Sequence, residues 1–565
     1  MFDAGFENCC LAQSISQAIG VAFECVVVFF EVSNTKASFI NDVVFDIAVN
    51  PDRGYALSVR GLARELAASL GCKYEDPALK VKSSSFEINK NGIQVTVEDK
   101  SALSIVYIRT ISDFNATAAT PLWMSRRIEK CGMRAISLAV DITNYVMLEL
   151  GQPLHAFDAA KISSELIIRS AGSTKTIKTL DNQERKLDSD DLVVADKKEA
   201  LALAGVMGGA SSEVTDGTTQ IALEAARFDP IRIAKSSRRH KLSSEASRRL
   251  ERGVDPSLAE ISSARAIALM IELGGGKYVG SSVSGEPKYA SVVSFDPNFV
   301  SEYLGTEVTL AEVEAKLNIV GCDVKKKSDK NWEIDPPSWR SDLSLAPDLV
   351  EEVARMIGYD RIPSTLPTGK SGAALTPMQN RKRAVANYLA ANGFSEVYNY
   401  PFVNPEYVAQ LGFVGDRAKS FKLANPMSEE FPLMRVHLVP GLIEVAARNI
   451  SRGAKDFAIF EMGSIFRSSQ KLIDGIFPEI GSRPTAQTIK EIYASVPPQG
   501  FHVAGVLVGK VENEDWQGSA RSYGWQDAIA AASDILDLCH LPWSIARSEL
   551  APWHPGRCAE LIVDG

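Results

Sequence analysis

Residues 140–158 read VDITNYVMLELGQPLHAFD. One of only six histidines in the chain, His155, follows Pro153 by two residues in a turn-like Gly-Gln-Pro segment. Asp141, Asn144, Tyr145, Glu149, Gln152 and Asp158 stand close by in sequence, interrupted by Val, Met and Leu. A run this dense in hydrogen-bonding side chains is unusual for a plain core helix. The residues leave two readings open. One is a helix and a turn carrying a hydrogen-bonded structural histidine; the other is a reactive site built around His155.

Working outward, 565 residues are too many for one core and predict several domains. A hydrophobic share of 45% and a charged share of 23% are those of an ordinary soluble globular protein. The net charge of -9 excludes a generally basic nucleic-acid binder, so any RNA contact must come from a local patch. The eight cysteines show no Cys-x-x-Cys pair and no zinc-like histidine spacing, and Cys9-Cys10 is their only cluster; a reduced, cytoplasmic protein is expected. The longest apolar run, residues 20–32, is broken by Glu24 and Glu31 and is too short to span a bilayer. The acidic leader MFDAGFEN is wrong for a secretory signal, so neither a membrane span nor a targeting segment is expected.

The first forty residues carry no motif, although residues 25–30 have the composition of a buried strand. Residues 46–71, DIAVNPDRGYALSVRGLARELAASLG, predict a short strand, a turn at Asn50-Pro51-Asp52-Arg53-Gly54, and a helix. Ser58 caps that helix, Val59, Leu62, Leu66 and Leu70 form its apolar face, and Gly71 stops it. Polar residues 75–90 read as a linker. A second unit runs from the strand-like LSIVYIRTI at Leu103 to about Gly276, with a helix over 122–131, a strand over 192–195 and glycine turns near Gly205-Val206-Met207-Gly208-Gly209. A third, to Pro367, alternates helix, strand near Trp332 and a helix over 348–357. A fourth starts at Pro377 with MQNRKRAVANYLAANG and continues through EVYNYPFV, FAIFEMGSIF and FHVAGVLVGKV. The pattern is that of a multi-domain α+β protein without internal repeats.

Residues 338–360, SWRSDLSLAPDLVEEVARMIGYD, gather Asp342, Asp348, Glu351 and Glu352. Asp348 and Glu351 fit an Asp-x-x-Glu capping box, a device that stabilises a helix start by roughly 1 kcal/mol. That leaves Glu352 and Asp342 unexplained, and four acids near a helix start also suit a hard cation such as Mg²⁺. Residues 231–253 carry Arg232, Lys235, Arg238, Arg239, Lys241, Arg248, Arg249 and Arg252 against Glu245 and Glu251 alone. Such a run is either a solvated face or an RNA-facing patch.

Three motifs in order resemble the editing module of the phenylalanine–tRNA ligase beta-subunit family. They are the His155 segment, residues 203–230 (LAGVMGGASSEVTDGTTQIALEAARFDP) and residues 240–256 (HKLSSEASRRLERGVDP). The resemblance implies an editing pocket lined by His155, Gly208, Glu224, Ser244 and Ala246. His155, Glu224 and Ser244 would act there as the editing residues, and Gly208 and Ala246 would bind the substrate. Ser244 stands where threonine is common in the family, which keeps a hydroxyl and removes a methyl wall. A second site of this kind is needed because a mostly apolar pocket rejects the extra hydroxyl of tyrosine imperfectly.

The resemblance extends from about Asp46 to the end. It makes Asp342, Asp348, Glu351 and Glu352 ligands of Mg²⁺, and residues 424–443 and 457–466 part of a class II synthetase-like antiparallel-sheet module that is not itself catalytic. The implied organisation is an unassigned segment over 1–45 and the remnant of an N-terminal structural domain with a linker over 46–100. A tRNA editing domain follows over 101–285, then a small winged-helix-like Mg²⁺-binding domain over 288–367 and an incomplete synthetase-like core over 370–565. The family's oligonucleotide-binding-fold domain has no room before residue 46, and WHPGRCAELIVDG at the end resembles mid-module text. The implied function is the beta subunit of an α₂β₂ phenylalanine–tRNA ligase. It would help the alpha subunit charge tRNA(Phe), with ATP as substrate, and hydrolyse mischarged tyrosyl-tRNA(Phe). The alternatives are a non-catalytic scaffold subunit and a freestanding aminoacyl-tRNA deacylase.

Overall fold

The computed structural model describes residues 28–29, 44–89, 91–369, 375–467, 475–479, 481–516 and 518–563. The Cys9-Cys10 pair and most of the segment 1–45 lie outside these. Of the strand expected over 25–30, only Val28–Phe29 is described, paired antiparallel with Asp46–Ile47. The chain divides into two units, Met1–Leu366 and Pro367–Gly565.

The first unit begins with helix α1 (Val59–Leu70). Ser58 caps it by accepting the Gly61 N–H at 3.0 Å, and Gly71 ends it at φ 64°. Its buried face differs from the expected leucine stripe. Val59 and Leu70 are exposed, whereas Arg60, Arg64 and Glu65 are buried. Arg60 binds Asp76 and Asp255, Arg64 binds Asp76, and Tyr55 donates to Glu65. Charged side chains go inward here because counter-ions distant in sequence meet them. Asp76 lies in the stretch expected to be a linker, so the described part of that stretch is tied down.

Two sheets carry the next module. Strands β1 (Gln94–Val97), β2 (Leu103–Ser112), β3 (Leu154–Asp158) and β4 (Glu165–Ser170) precede β5 (Leu192–Ala195), β6 (Ala200–Leu203), β7 (Met207–Gly208), β8 (Ile221–Phe228) and β9 (Lys277–Gly285). One sheet is antiparallel in the order β9-β2-β8-β3, and the other runs β7-β6-β5-β4-β1 with a parallel β1–β4 pair. The cluster between them includes Val106, Ile108, Phe157, Leu166, Ile168 and Val193. Helix α2 (Leu138–Leu150) packs against α5 (Leu258–Gly274) on the other side of the antiparallel sheet, around Ile142, Val146, Ile267 and Met270. Between them in sequence come α3 (Pro230–Arg239) and α4 (Glu245–Arg252). The helix-and-turn reading of residues 140–158 therefore holds only to Gly151, which ends α2 at φ 98°, while His155 lies on a strand.

The last part of this unit is a three-stranded antiparallel sheet, β10 (Val293–Phe295), β11 (Asp323–Ser328) and β12 (Asn331–Asp335), with β12 central. Helices α6 (Leu310–Val320) and α7 (Ala346–Ile357) bury Val313, Leu317, Leu349 and Val353 with Trp332 and Ile334. In the second unit, α8 (Pro377–Ala391) leads to β13 (Phe394–Glu396), α9 (Val439–Ser451), β14 (Phe457–Phe466) and β15 (Gln499–Val508). Among the described residues their sheet runs β13-β14-β15. The β14–β15 pair is antiparallel over ten residue pairs, but β13–β14 is parallel, so the expected wholly antiparallel sheet is mixed at this edge.

Candidate functional site

Strand β3 is the edge of the antiparallel sheet, and its one neighbour, β8, sets His155 directly opposite Glu224. Residues opposite each other in an antiparallel pair point to the same face. Each is flanked by apolar strand residues: the His155 ring meets Phe157 edge-on with centroids 4.4 Å apart, and Glu224 lies between buried Leu223 and Ala225. Burial pushes the His155 imidazole down to about 4 and the Glu224 carboxyl up to about 8. Near neutrality both are therefore uncharged. Neither side chain has a hydrogen-bond or ion-pair partner among the described residues.

Gly208 closes the site from a different sheet. A methyl group at its Cα would stand 2.7 Å from His155 Nε2 and 3.0 Å from Leu180 Cδ1. Glycine is needed here because the backbone lies against the imidazole. Ser244 is linked to the same segment, since its Oγ donates to the Val206 carbonyl at 2.8 Å. The same oxygen accepts the Ser247 N–H at 3.0 Å and so caps α4. The Ser244 hydroxyl is thus occupied by the fold, and it positions the wall instead of presenting a free polar contact. Ala246 is in the first turn of α4, partly buried.

Most other polar residues of 140–158 hold the scaffold. Asp141 accepts from Thr120 Oγ1 and the Ile136 N–H, Asp158 accepts from Thr218 Oγ1, and Gln152 donates to the Pro153 and Ala226 carbonyls. Tyr145 and Arg265 both reach Glu149. The basic stretch is also largely consumed internally. Arg232 pairs with Asp99, Arg239 with Asp191, and Arg248 and Arg249 with Glu245, while Arg252 donates to the Val49 carbonyl. Lys235, Arg238 and Lys241 are exposed without such partners among the described residues, which leaves a patch far smaller than the sequence suggests.

Among the described residues no group of three His, Cys, Asp or Glu is placed to hold a metal ion, and each of the four acids at 338–360 has protein partners of its own. Glu352 is 1% exposed and accepts from Arg53 at 2.8 Å and from Arg340 and Arg355 at 2.7 Å each. Burial would raise its pKa, yet these three guanidiniums, Arg340 foremost, hold the carboxyl far below the usual range. Asp342 takes a bidentate grip from Arg340. Asp348 accepts the N–H groups of Ser344 and Leu345 at 2.9 and 2.7 Å. The helix thus starts one turn earlier than the expected Asp348–Glu351 box, with Asp348 as the acceptor inside its first turn. Glu351 is largely exposed beside Arg53 at 3.5 Å. Arginines engage both oxygens of Glu352 and of Asp342 and so compete with a divalent cation for them. Sequence reading missed Arg53, Arg340 and Arg355; the only local hint was the spacing of Arg340 and Asp342.

Three family models match separate stretches: a B3/4 domain over 102–275, a tRNA synthetase B5 domain over 293–359, and the phenylalanyl tRNA synthetase beta chain CLM domain over 362–565. The chain is 39% identical over 538 residues to the phenylalanine–tRNA ligase beta subunit of Corynebacterium glutamicum, covering 94% of this chain and 64% of that protein. It is 42% identical over 528 residues to the beta subunit of Streptomyces avermitilis, covering 92% and 63%. For that of Thermobifida fusca the identity is 41% over 534 residues, covering 93% and 63%. The chain belongs to the phenylalanine–tRNA ligase beta-subunit family. It spans just under two thirds of the length of these relatives. Within this family the His155–Glu224–Gly208 grouping falls in the B3/4 stretch, and the arginine-bound acids fall in the B5 stretch. No helix among the described residues is long and apolar enough to cross a membrane.

Proposed function

We propose that this chain acts as the beta subunit of a phenylalanine–tRNA ligase. Assembled with an alpha subunit as α₂β₂, it supports ATP- and Mg²⁺-dependent charging of tRNA(Phe), and it hydrolyses tyrosyl-tRNA(Phe) at residues 155, 208 and 224. The observation that carries the editing half is the pairing of His155 and Glu224 across β3 and β8, both uncharged near neutrality and both without hydrogen-bond or ion-pair partners among the described residues.

Hydrolysis of an aminoacyl ester needs a positioned water and donors for the charge that develops on the carbonyl oxygen. A neutral imidazole keeps a lone pair that can take a proton from water, and His155 supplies it at the ester end. A carboxyl that stays protonated donates a hydrogen bond, and Glu224 directs it to the phenolic oxygen that tyrosine has and phenylalanine lacks. Gly208 lets the wall close on the imidazole, and Ser244 with its cap holds α4 and Ala246 against that wall. Lys235, Arg238 and Lys241 offer cations to the tRNA backbone. Mg²⁺ belongs to the charging reaction, since the B5 acids here are engaged by arginine.

Deacylation of tyrosyl-tRNA(Phe) by the purified chain, with and without alpha subunit, tests this. Hydrolysis that appears or strengthens with alpha supports the proposal. Equal hydrolysis without alpha identifies a freestanding deacylase, and none in either case identifies a scaffold subunit.

A further inference from the structure

The second unit contains a cleft of about 400 Å³ at the start of α9, remote in sequence from the editing residues. That volume is in the range of small-molecule sites. One wall is aromatic: Tyr400 and Phe402 lie nearly parallel with centroids 6.5 Å apart, and Phe431 faces the same cavity. The polar groups in the cleft are of two signs. Glu444 and Arg448 stand one helical turn apart on α9, yet they form no ion pair with each other and no side-chain hydrogen bond or ion pair with any described residue.

His437 adds an unmatched donor. Its ring stacks on Phe413 at 4.1 Å, and its Nδ1 lies 3.1 Å from the Arg467 guanidinium. Arginine only donates, so Nδ1 accepts and the proton of the neutral ring resides on Nε2. Burial, reinforced by Arg467, lowers the imidazole to about 4 and keeps it neutral. Nε2 is shielded from water and has no partner among the described residues, and a buried donor without an acceptor is costly. Arg435, by contrast, is already used by Glu461, the Ser464 carbonyl and the Asn399 carbonyl.

We infer that this cleft binds a free aromatic α-amino acid, with the ring against Tyr400 and Phe402, the ammonium at Glu444, and the carboxylate at Arg448. A zwitterion fits because it presents both charges within a few bonds, matching a half-buried carboxylate whose pKa burial pushes up and a guanidinium that acts on it through space without forming an ion pair. A purely apolar ligand would leave Glu444 and Arg448 unmatched. All its lining residues belong to the second unit, and none is an editing residue.

The test is methyl NMR of Met427, a cleft residue that is 93% exposed, in the full chain. L-phenylalanine should move this resonance saturably, and 3-phenylpropionate, which lacks the ammonium, should bind roughly 10-fold more weakly. Glu444→Gln, an isosteric change on a partly exposed helix position, should weaken L-phenylalanine by a similar factor and leave 3-phenylpropionate unchanged. His155→Ala should not alter the Met427 response. An unmoved Met427 signal at millimolar amino acid overturns the inference, as does equal L-phenylalanine affinity in Glu444→Gln.

Discussion

Arg340 and Glu352 lie 2.7 Å apart, each 1% exposed, at the centre of a network that joins α7 to the segment preceding α1. Arg53 and Arg355 complete the shell of Glu352, and Arg355 continues to Glu65 at 2.7 Å. One carboxylate thus accepts from three guanidiniums, each of which also meets a second acid: Asp342 for Arg340, Glu65 for Arg355 and Glu351 for Arg53. Removing one member of such a group leaves the others buried and uncompensated, which costs far more than an exposed pair.

Glu352→Gln should therefore destabilise the first unit by roughly 3–5 kcal/mol. Denaturant unfolding followed with a probe in that unit measures this. Mg²⁺ titration by calorimetry should give the same weak response for wild type and variant. A specific Mg²⁺ isotherm that Glu352→Gln abolishes would restore the metal reading.

His155→Ala should slow tyrosyl-tRNA(Phe) hydrolysis roughly 10²-fold in the assembled enzyme, the scale for losing one positioned polar group. Phenylalanylation should stay near wild type. Unchanged hydrolysis in this variant removes His155 from the site.

Gly208→Ala places a methyl 2.7 Å from His155 Nε2, so the imidazole must turn away. Overpacking of this kind costs about 1–3 kcal/mol, which the fold should survive. Deacylation should drop as steeply as in His155→Ala while circular dichroism remains native. Full activity in Gly208→Ala would mean that the close approach is dispensable.

The pH dependence follows from the two opposed shifts. The Glu224 pKa rises on folding from 4.5 to about 8, so the native state holds a proton that the unfolded chain releases, and its contribution to stability falls as pH climbs through that window. The His155 pKa drops from 6.5 to about 4, so its contribution falls as pH decreases from 6.5 to 4. Hydrolysis that needs both groups neutral should plateau between these limits, failing above about 8 and below about 4. In Glu224→Gln the alkaline limb should vanish while tyrosine selectivity is largely kept, because the amide also donates. A single-turnover pH–rate profile reads both; an alkaline limb that persists in Glu224→Gln assigns it to another group.

The chain alone should form no phenylalanyl-adenylate. Arg435, a buried arginine of the second unit, is bound to Glu461 and two carbonyls and is not free for an α-phosphate. Phenylalanine-dependent pyrophosphate exchange by the lone chain would refute the beta-subunit reading of this unit.

Local signals in the sequence determined a good part of this protein. Ser58 and Gly71 bound α1, the ten-residue run at 457–466 became β14, and three ordered motifs identified the family, because caps, glycine stops and strand alternation act over a few residues. The sequence also named His155, Gly208 and Glu224. It gave no account of how they meet, and it put His155 in a turn. Register across strands about 70 residues apart set His155 opposite Glu224, and the packing of a second sheet set Gly208 on the imidazole. The charged residues show the same division. Asp342 and Glu352 resemble metal ligands in one dimension, but Arg53 arrives from 299 positions away and Arg340 turns inward to meet them. What a carboxylate does depends on which cation reaches it first when it is buried, and only the tertiary structure decides that.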